Sequence, residues 1–137
     1  MTEKRKISIL IPYKISDEGV KVFLQKRSKN AERLPDWFGF WGGGTENNET
    51  PEETLKREIK EEMNIDIVGY SYFGKYEFYR SIKDFYTLKV DNSFESKIEI
   101  GEGEYGRFFS ENEIRNEEKL ILEDKTVLND FFKNINS

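Results

Sequence analysis

Residues Gly43 to Ile65 read GGTENNETPEETLKREIKEEMNI, and a helix start is written in their middle. Thr50 stands at an N-cap position, Pro51 at the first helical position, and Glu53 three residues after the cap. The helix is expected over about Thr50–Met63, closed by Asn64, which tolerates the left-handed conformation. Leu55, Ile59 and Met63 recur at helical spacing and form one apolar flank. Glu58, Glu61 and Glu62 lie three and four residues apart on another side, where like charges repel by about 0.2–0.5 kcal/mol per pair. A divalent cation would turn that repulsion into a binding site, because hard cations take several carboxylate oxygens. Taken alone, the helix also reads as a solvated face, with Lys56 and Lys60 offering ordinary exposed ion pairs.

Outward from this helix the chain reads as strands. Ile7–Lys14 and Val20–Arg27 are β-branched and aromatic-rich, with Ser16-Asp17-Glu18-Gly19 as the turn between them. Ser28–Asp36 is a polar loop, Trp37–Trp41 is short and apolar, and Gly42-Gly43-Gly44 is expected to break any regular element. Beyond the helix, Ile65–Phe73, Lys75–Ile82 and Phe85–Val90 are strand candidates, followed by short ones at Lys97–Ile100 and Arg107–Phe109. Ser110 and Glu113 form a second capping box, and Asp124–Asn134 closes the chain as an amphipathic helix with Val127, Leu128, Phe131 and Phe132 inside. The sum is an α/β fold: one domain over residues 1–137, with a mixed sheet and a central helix set between strands.

Composition narrows the chemistry. The 137 residues are 36% hydrophobic and 15% aromatic, enough to build a core. Lys and Arg number 22 against 27 Asp and Glu, a net charge of −5 that argues against binding a nucleic-acid polymer. No cysteine means no disulfide, thiolate metal site or thiol nucleophile. No histidine removes the commonest general base and zinc ligand. Chemistry must run on carboxylates, Lys, Arg, Tyr or backbone groups, an inventory suited to Mg²⁺ or Mn²⁺. Ile7–Pro12, after Lys4-Arg5-Lys6, is too short for a signal peptide, and no window is long enough to span a membrane, so the expected location is the cytoplasm.

The spacing decides between the two readings of the helix. Gly43 is followed after five residues by Glu49, and after seven more by Arg57-Glu58-Ile59-Lys60-Glu61-Glu62-Met63-Asn64-Ile65. This resembles the Nudix box of the Nudix hydrolases (MutT-like): Gly, five residues, Glu, seven residues, Arg-Glu-apolar-any-Glu-Glu-any-Gly-apolar. Only Asn64, in place of the closing Gly, departs from it. From this composition, so near a match arises by chance with a probability on the order of 10⁻⁴. A second departure is Trp41, where the family often has Pro.

The resemblance implies a Nudix-type α/β/α sandwich and Mg²⁺-dependent hydrolysis of a nucleoside diphosphate linked to another moiety, with Mn²⁺ a possible substitute. Nucleoside triphosphates, normal or oxidised, are the favoured substrates. Nucleotide sugars, ADP-ribose and a catalytically idle nucleotide-binding module are the alternatives, and an acidic interaction domain is disfavoured by the chance estimate. Residue by residue, Glu58 and Glu62 resemble the primary metal ligands and Glu61 a third ligand or the base. Arg57 resembles the arginine that holds the first glutamate, and Glu49 the loop glutamate that braces the site. Backbone carbonyls at Gly42 and Gly43 are further candidate ligands. Glu102 and Glu104 are candidates for the additional glutamate of a late loop, Glu102 preferred, with a polar turn as the other reading. Arg27 either faces phosphate or is an exposed charge. Trp37, Trp41, Tyr76 and Phe78 either stack a base or pack in the core, and Trp41 is carried forward as a substrate contact. A homodimer is compatible with this reading.

Overall fold

The computed structural model describes residues 3–101 and 103–136. At its centre lies β1 (Arg5–Ser16), whose residues Ser8–Pro12 are buried, as a strand covered on both faces requires. It runs parallel to β6 (Ser81–Lys89) and antiparallel to two partners on its other side. Its C-terminal half pairs with β2 (Gly19–Lys26) through the Asp17-Glu18 turn, and its N-terminal half pairs with β4 (Trp41–Gly44). Beyond these, β3 (Phe38–Gly39) and β7 (Tyr105–Ser110) pair with β2, and β5 (Ser71–Glu77) pairs with β6 at the sheet's edge. The seven strands form one mixed sheet.

Side-chain alternation along β1 divides the core in two. Ile9 and Ile11 face α3 (Glu111–Asn116) and α4 (Leu122–Ile135), which contribute Ile114, Val127, Leu128, Phe131 and Phe132. Leu10 faces the opposite way, onto Leu55, Ile59 and Met63 of α1 (Pro51–Met63), together with Phe23, Trp41 and Tyr86. Phe94 of the single-turn helix α2 (Phe94–Lys97) completes that side. This is the α/β/α sandwich the sequence implies.

Both helix starts behave as their capping boxes dictate. The Thr50 side chain accepts from the Glu53 N–H at 3.2 Å while Glu53 accepts from the Thr50 N–H at 2.9 Å, and Ser110 and Glu113 repeat the arrangement. Asn64 ends α1 at φ 57° and ψ 38°, with its N–H on the Lys60 carbonyl and its side-chain amide on Glu99 at 3.2 Å. Asn64→Gly would lose that exposed hydrogen bond but relieve left-handed strain, so its stability should stay within about 0.5 kcal/mol of the unaltered protein. Asn64→Ala has neither compensation and should lose about 1 kcal/mol. Urea denaturation of the two variants checks the pair, and an Asn64→Ala protein as stable as Asn64→Gly would contradict it.

Four sequence expectations need correction. Gly42-Gly43-Gly44 does not break the chain: pairing with the buried β1 carries the glycines into strand β4. Ile65–Phe73 is no continuous strand. Residues 65–70 form a connection that still buries Ile67 against α1, and β5 begins only at Ser71. Lys75–Ile82 contains the β5–β6 turn, closed by the Phe78 N–H on the Ser81 carbonyl at 2.8 Å. Lys97–Ile100 is the end of α2 followed by an irregular segment. There the Glu99 and Gly101 N–H groups satisfy the Met63 and Glu62 carbonyls at the end of α1. Among the described residues, no helix is long and apolar enough to cross a membrane.

Candidate active site

The helix α1 lies along β4, and two hydrogen bonds fasten them together. The Gly42 N–H donates to Glu62 Oε1 at 2.7 Å, and Arg57 Nη2 donates to the Gly44 carbonyl at 2.9 Å. Glu62 is only 5% exposed, so it is held inside the seam and not on a solvated face. Gly43 lies against the Glu58 carboxylate so closely that any Cβ there would overlap it. A glycine strand is therefore what lets the helix carboxylates approach the backbone.

Arg57 organises the rest. Its Nε and Nη2 grip both oxygens of Glu49 at 2.8 and 3.0 Å, a bidentate fork. Its Nη1 donates to Glu58 Oε1 at 3.0 Å and reaches Glu61 Oε1 at 3.4 Å. Glu49 also accepts from the Glu46 N–H and the Thr54 hydroxyl. These donors, the Arg57 fork first among them, hold the Glu49 carboxyl down at about 2, so it stays ionised. The same carboxylates raise the guanidinium further above its already high value. Arg57 thus links the Glu49 carboxylate to that of Glu58.

The donor set of Glu58, Glu61 and Glu62 beside backbone carbonyls is all oxygen, which fits a hard divalent cation. Among the described residues no three carboxylates are already gathered into a metal cage. Arg57 draws Glu58 and Glu61 toward itself instead. Of the late-loop candidates, Glu102 lies outside the described residues, while Glu104 is exposed and binds the Lys26 carbonyl through its N–H.

Trp41 must be withdrawn as a substrate contact. It is fully buried, stacks on Phe23 with ring centroids 5.4 Å apart and planes 9° apart, and donates its indole N–H to the Phe23 carbonyl at 3.0 Å. Tyr76 likewise packs edge-on against Phe85 and gives its hydroxyl to Asp130, and Phe78 packs on the same core.

Across β4 from the glutamates the sheet carries an open cavity of about 620 Å³. Ile7, Ile9, Phe38 and Phe40 give it apolar walls, and Arg27 and Asp124 add polar groups. Arg27 is tied by its Nε to the Arg33 carbonyl at 2.9 Å, which holds its guanidinium at this wall. Asp124 was not singled out from sequence, although a signal exists: it sits three and four residues before Val127 and Leu128, on the buried side of α4. Burial pushes its carboxyl up to about 6, opposed by Lys83 and Arg27 and assisted by Glu123. The folded protein thus keeps this proton to a higher pH than the unfolded chain, and stability falls as pH rises from about 4 to about 6. Asp124→Asn should gain about 2–3 kcal/mol relative to the unaltered protein between pH 4 and pH 7. Denaturant titrations at the two pH values read this directly, and a pH-independent difference would contradict it.

A seven-stranded mixed sheet between a glutamate-bearing helix and a C-terminal helix places the chain among the Nudix-type sandwiches. The sequence profile of the NUDIX domain matches residues 4–131, and the chain belongs to that family. An 8-oxo-dGTP diphosphatase from Proteus vulgaris is 39% identical over 70 residues, which cover 49% of this chain and 58% of that protein. The chain thus spans less than two thirds of this curated relative. A MutT/Nudix family protein from Listeria innocua superposes with a TM-score of 0.78 at 19% identity, over 99% of this chain and 96% of the other. The NUDIX domain of Shewanella oneidensis NrtR, solved with ADP ribose, gives 0.77 at 14% identity over 98% and 90%. At those identities the structural likeness speaks for the fold alone.

Proposed function

We propose that the protein is a Mg²⁺-dependent nucleotide pyrophosphohydrolase acting on nucleoside triphosphates, normal or oxidised. The observation that carries this reading is the placement of two sites on either side of one glycine strand. On one side stand Glu58, Glu61 and Glu62. On the other is a cavity with apolar walls and a buried carboxyl, suited to a nucleoside. The Proteus vulgaris relative, named for a nucleoside triphosphate substrate, supports the same class.

In this reading Glu58, Glu62 and Glu61, with the Gly43 carbonyl, would hold Mg²⁺, and Mn²⁺ could replace it. When bound, the cation supplies charge neutralisation on the anhydride and a more acidic water. The rest falls to the chain. Arg57 and Glu49 keep Glu58 in place, and the Gly42 N–H keeps Glu62 turned toward β4. Asp124, charged or protonated near neutral pH, offers an acceptor or a donor to a base edge. Water adds to one phosphorus, the bridging P–O bond breaks, and two phosphate products leave.

The complex of the NrtR domain with ADP ribose favours a second reading, cleavage or binding of ADP-ribose. A panel of nucleoside triphosphates, oxidised triphosphates, nucleotide sugars and ADP-ribose, assayed by chromatography at saturating Mg²⁺, separates them. Monophosphate and pyrophosphate from a triphosphate are the expected products. Turnover of ADP-ribose alone would overturn the triphosphate assignment, and binding without turnover would make the protein an idle module.

A further inference from the structure

The strand that separates cavity from glutamates carries a vacancy that another strand fills. Neighbouring residues on a strand face opposite ways. Gly43 accordingly faces Glu58, while Gly44 faces the cavity side, opposite Ile7 of β1 in the register. A side chain on Gly44 would run into the Arg5 guanidinium, with Nη2 and Nε only 2.9 and 3.0 Å from its Cβ position. Arg5 lies two residues before Ile7 on the same face of β1, and both line the cavity. Its backbone N–H is fixed on the Arg80 carbonyl at 3.0 Å. Among the described residues its guanidinium has no carboxylate partner.

Arg57 is committed to Glu49 and Glu58 and Arg27 to the Arg33 carbonyl, while Arg33 and Arg80 also line the cavity; the guanidinium that lies against the Gly44 position is that of Arg5. The Arg5 guanidinium lies against Gly44, the residue that follows the glycine touching Glu58. A nucleotide whose base enters the cavity and whose anhydride lies at Glu58 and Glu62 must pass its phosphates over this point.

We propose that Arg5 grips the phosphate chain where it crosses the Gly43–Gly44 strand. The inference rests on the nucleotide reading above. A guanidinium matches phosphate oxygens through two parallel N–H donors, so lysine is an incomplete substitute. Gly44 has ordinary backbone angles, and the atoms nearest its Cβ position belong only to the Arg5 side chain. Removing Arg5 therefore opens room for a lysine on β4 itself.

The test is calorimetric binding of α,β-methylene-dGTP, inorganic tripolyphosphate and deoxyguanosine to the full chain, its Arg5→Ala and Arg5→Lys variants, and the double variant Arg5→Ala, Gly44→Lys. Arg5→Ala should weaken the two phosphate ligands at least tenfold and leave deoxyguanosine unchanged, which a merely structural role would not do. Arg5→Lys should recover part of the loss, and the double variant should recover more than half of it on a logarithmic scale. Melting temperatures of all four should agree within a few degrees, since the Arg5 side chain is exposed. Analogue binding by Arg5→Ala within twofold of the unaltered protein would overturn the proposal, as would an equal loss for deoxyguanosine. So would an unaltered protein that binds no phosphate ligand. If the unaltered protein binds the analogue in an Arg5-dependent way yet turns over no nucleotide, the hydrolase reading fails and the Arg5 assignment stands.

Discussion

Glu62→Gln is expected to lower kcat by at least ~10²-fold while leaving the fold intact. Glutamine has the same shape, and its side-chain oxygen can still accept the Gly42 N–H that Glu62 Oε1 now receives at 2.7 Å. The seam between α1 and β4 should therefore close as before. What the change removes is one negative charge from a group 5% exposed, where no surface residue can stand in for it. A metal ligand lost there weakens cation binding and charge neutralisation together. Steady-state kinetics with a triphosphate, beside a melting curve within a few degrees of the unaltered protein, reads both halves. A fully active Glu62→Gln enzyme would contradict the metal assignment.

Trp41→Ala should cost about 3–5 kcal/mol of stability. The indole is fully buried, packed flat on Phe23 and among the side chains that meet α1. Its removal leaves a cavity under the helix and deprives the buried Phe23 carbonyl of its donor, a further loss of about 1–3 kcal/mol where water cannot replace it. The total is a large share of the roughly 5–15 kcal/mol typical of a domain. Trp41→Phe, which keeps the stacking and loses only the N–H and part of the volume, should cost less. Urea denaturation followed by far-ultraviolet circular dichroism gives the values. A residue that stacked on substrate would behave in the opposite way, with KM raised and stability unchanged.

The helix and its glutamates were legible because their signals are local. Thr50, Pro51 and Glu53 define a start, Asn64 a stop, and a fixed spacing brings Arg57 to Glu49. Strand β4 was not legible, since three glycines favour a strand only once β1 supplies partners and buries them. The segment 65–70 misled for a related reason: Ile67 and Tyr70 are apolar because they pack on the α1 side, not because they belong to a ladder. Trp41 fits a base-stacking platform and a core equally well by type, and only burial separates the two. Arg5 and Asp124 reach the cavity from opposite ends of the chain, so no local pattern joins them. In sequence Arg5 is one charge of a basic cluster at the amino terminus. What distinguishes it is a missing side chain 39 positions later, at Gly44.

If the carboxylates of α1 form a divalent-cation site, thermal melting will distinguish Mg²⁺ from Na⁺ at equal ionic strength. A ligand that binds only the folded state adds RT ln(1 + [L]/Kd), about 2.7 kcal/mol at 100-fold excess over Kd. Ionic screening of Glu58, Glu61 and Glu62 contributes alike in both salts and cancels. The expected result is a higher melting temperature in Mg²⁺, and no such difference in the double variant Glu58→Gln, Glu62→Gln. Equal melting temperatures in the two salts for the unaltered protein, with nucleotide present, would make the cluster a solvated acidic face with no cation site.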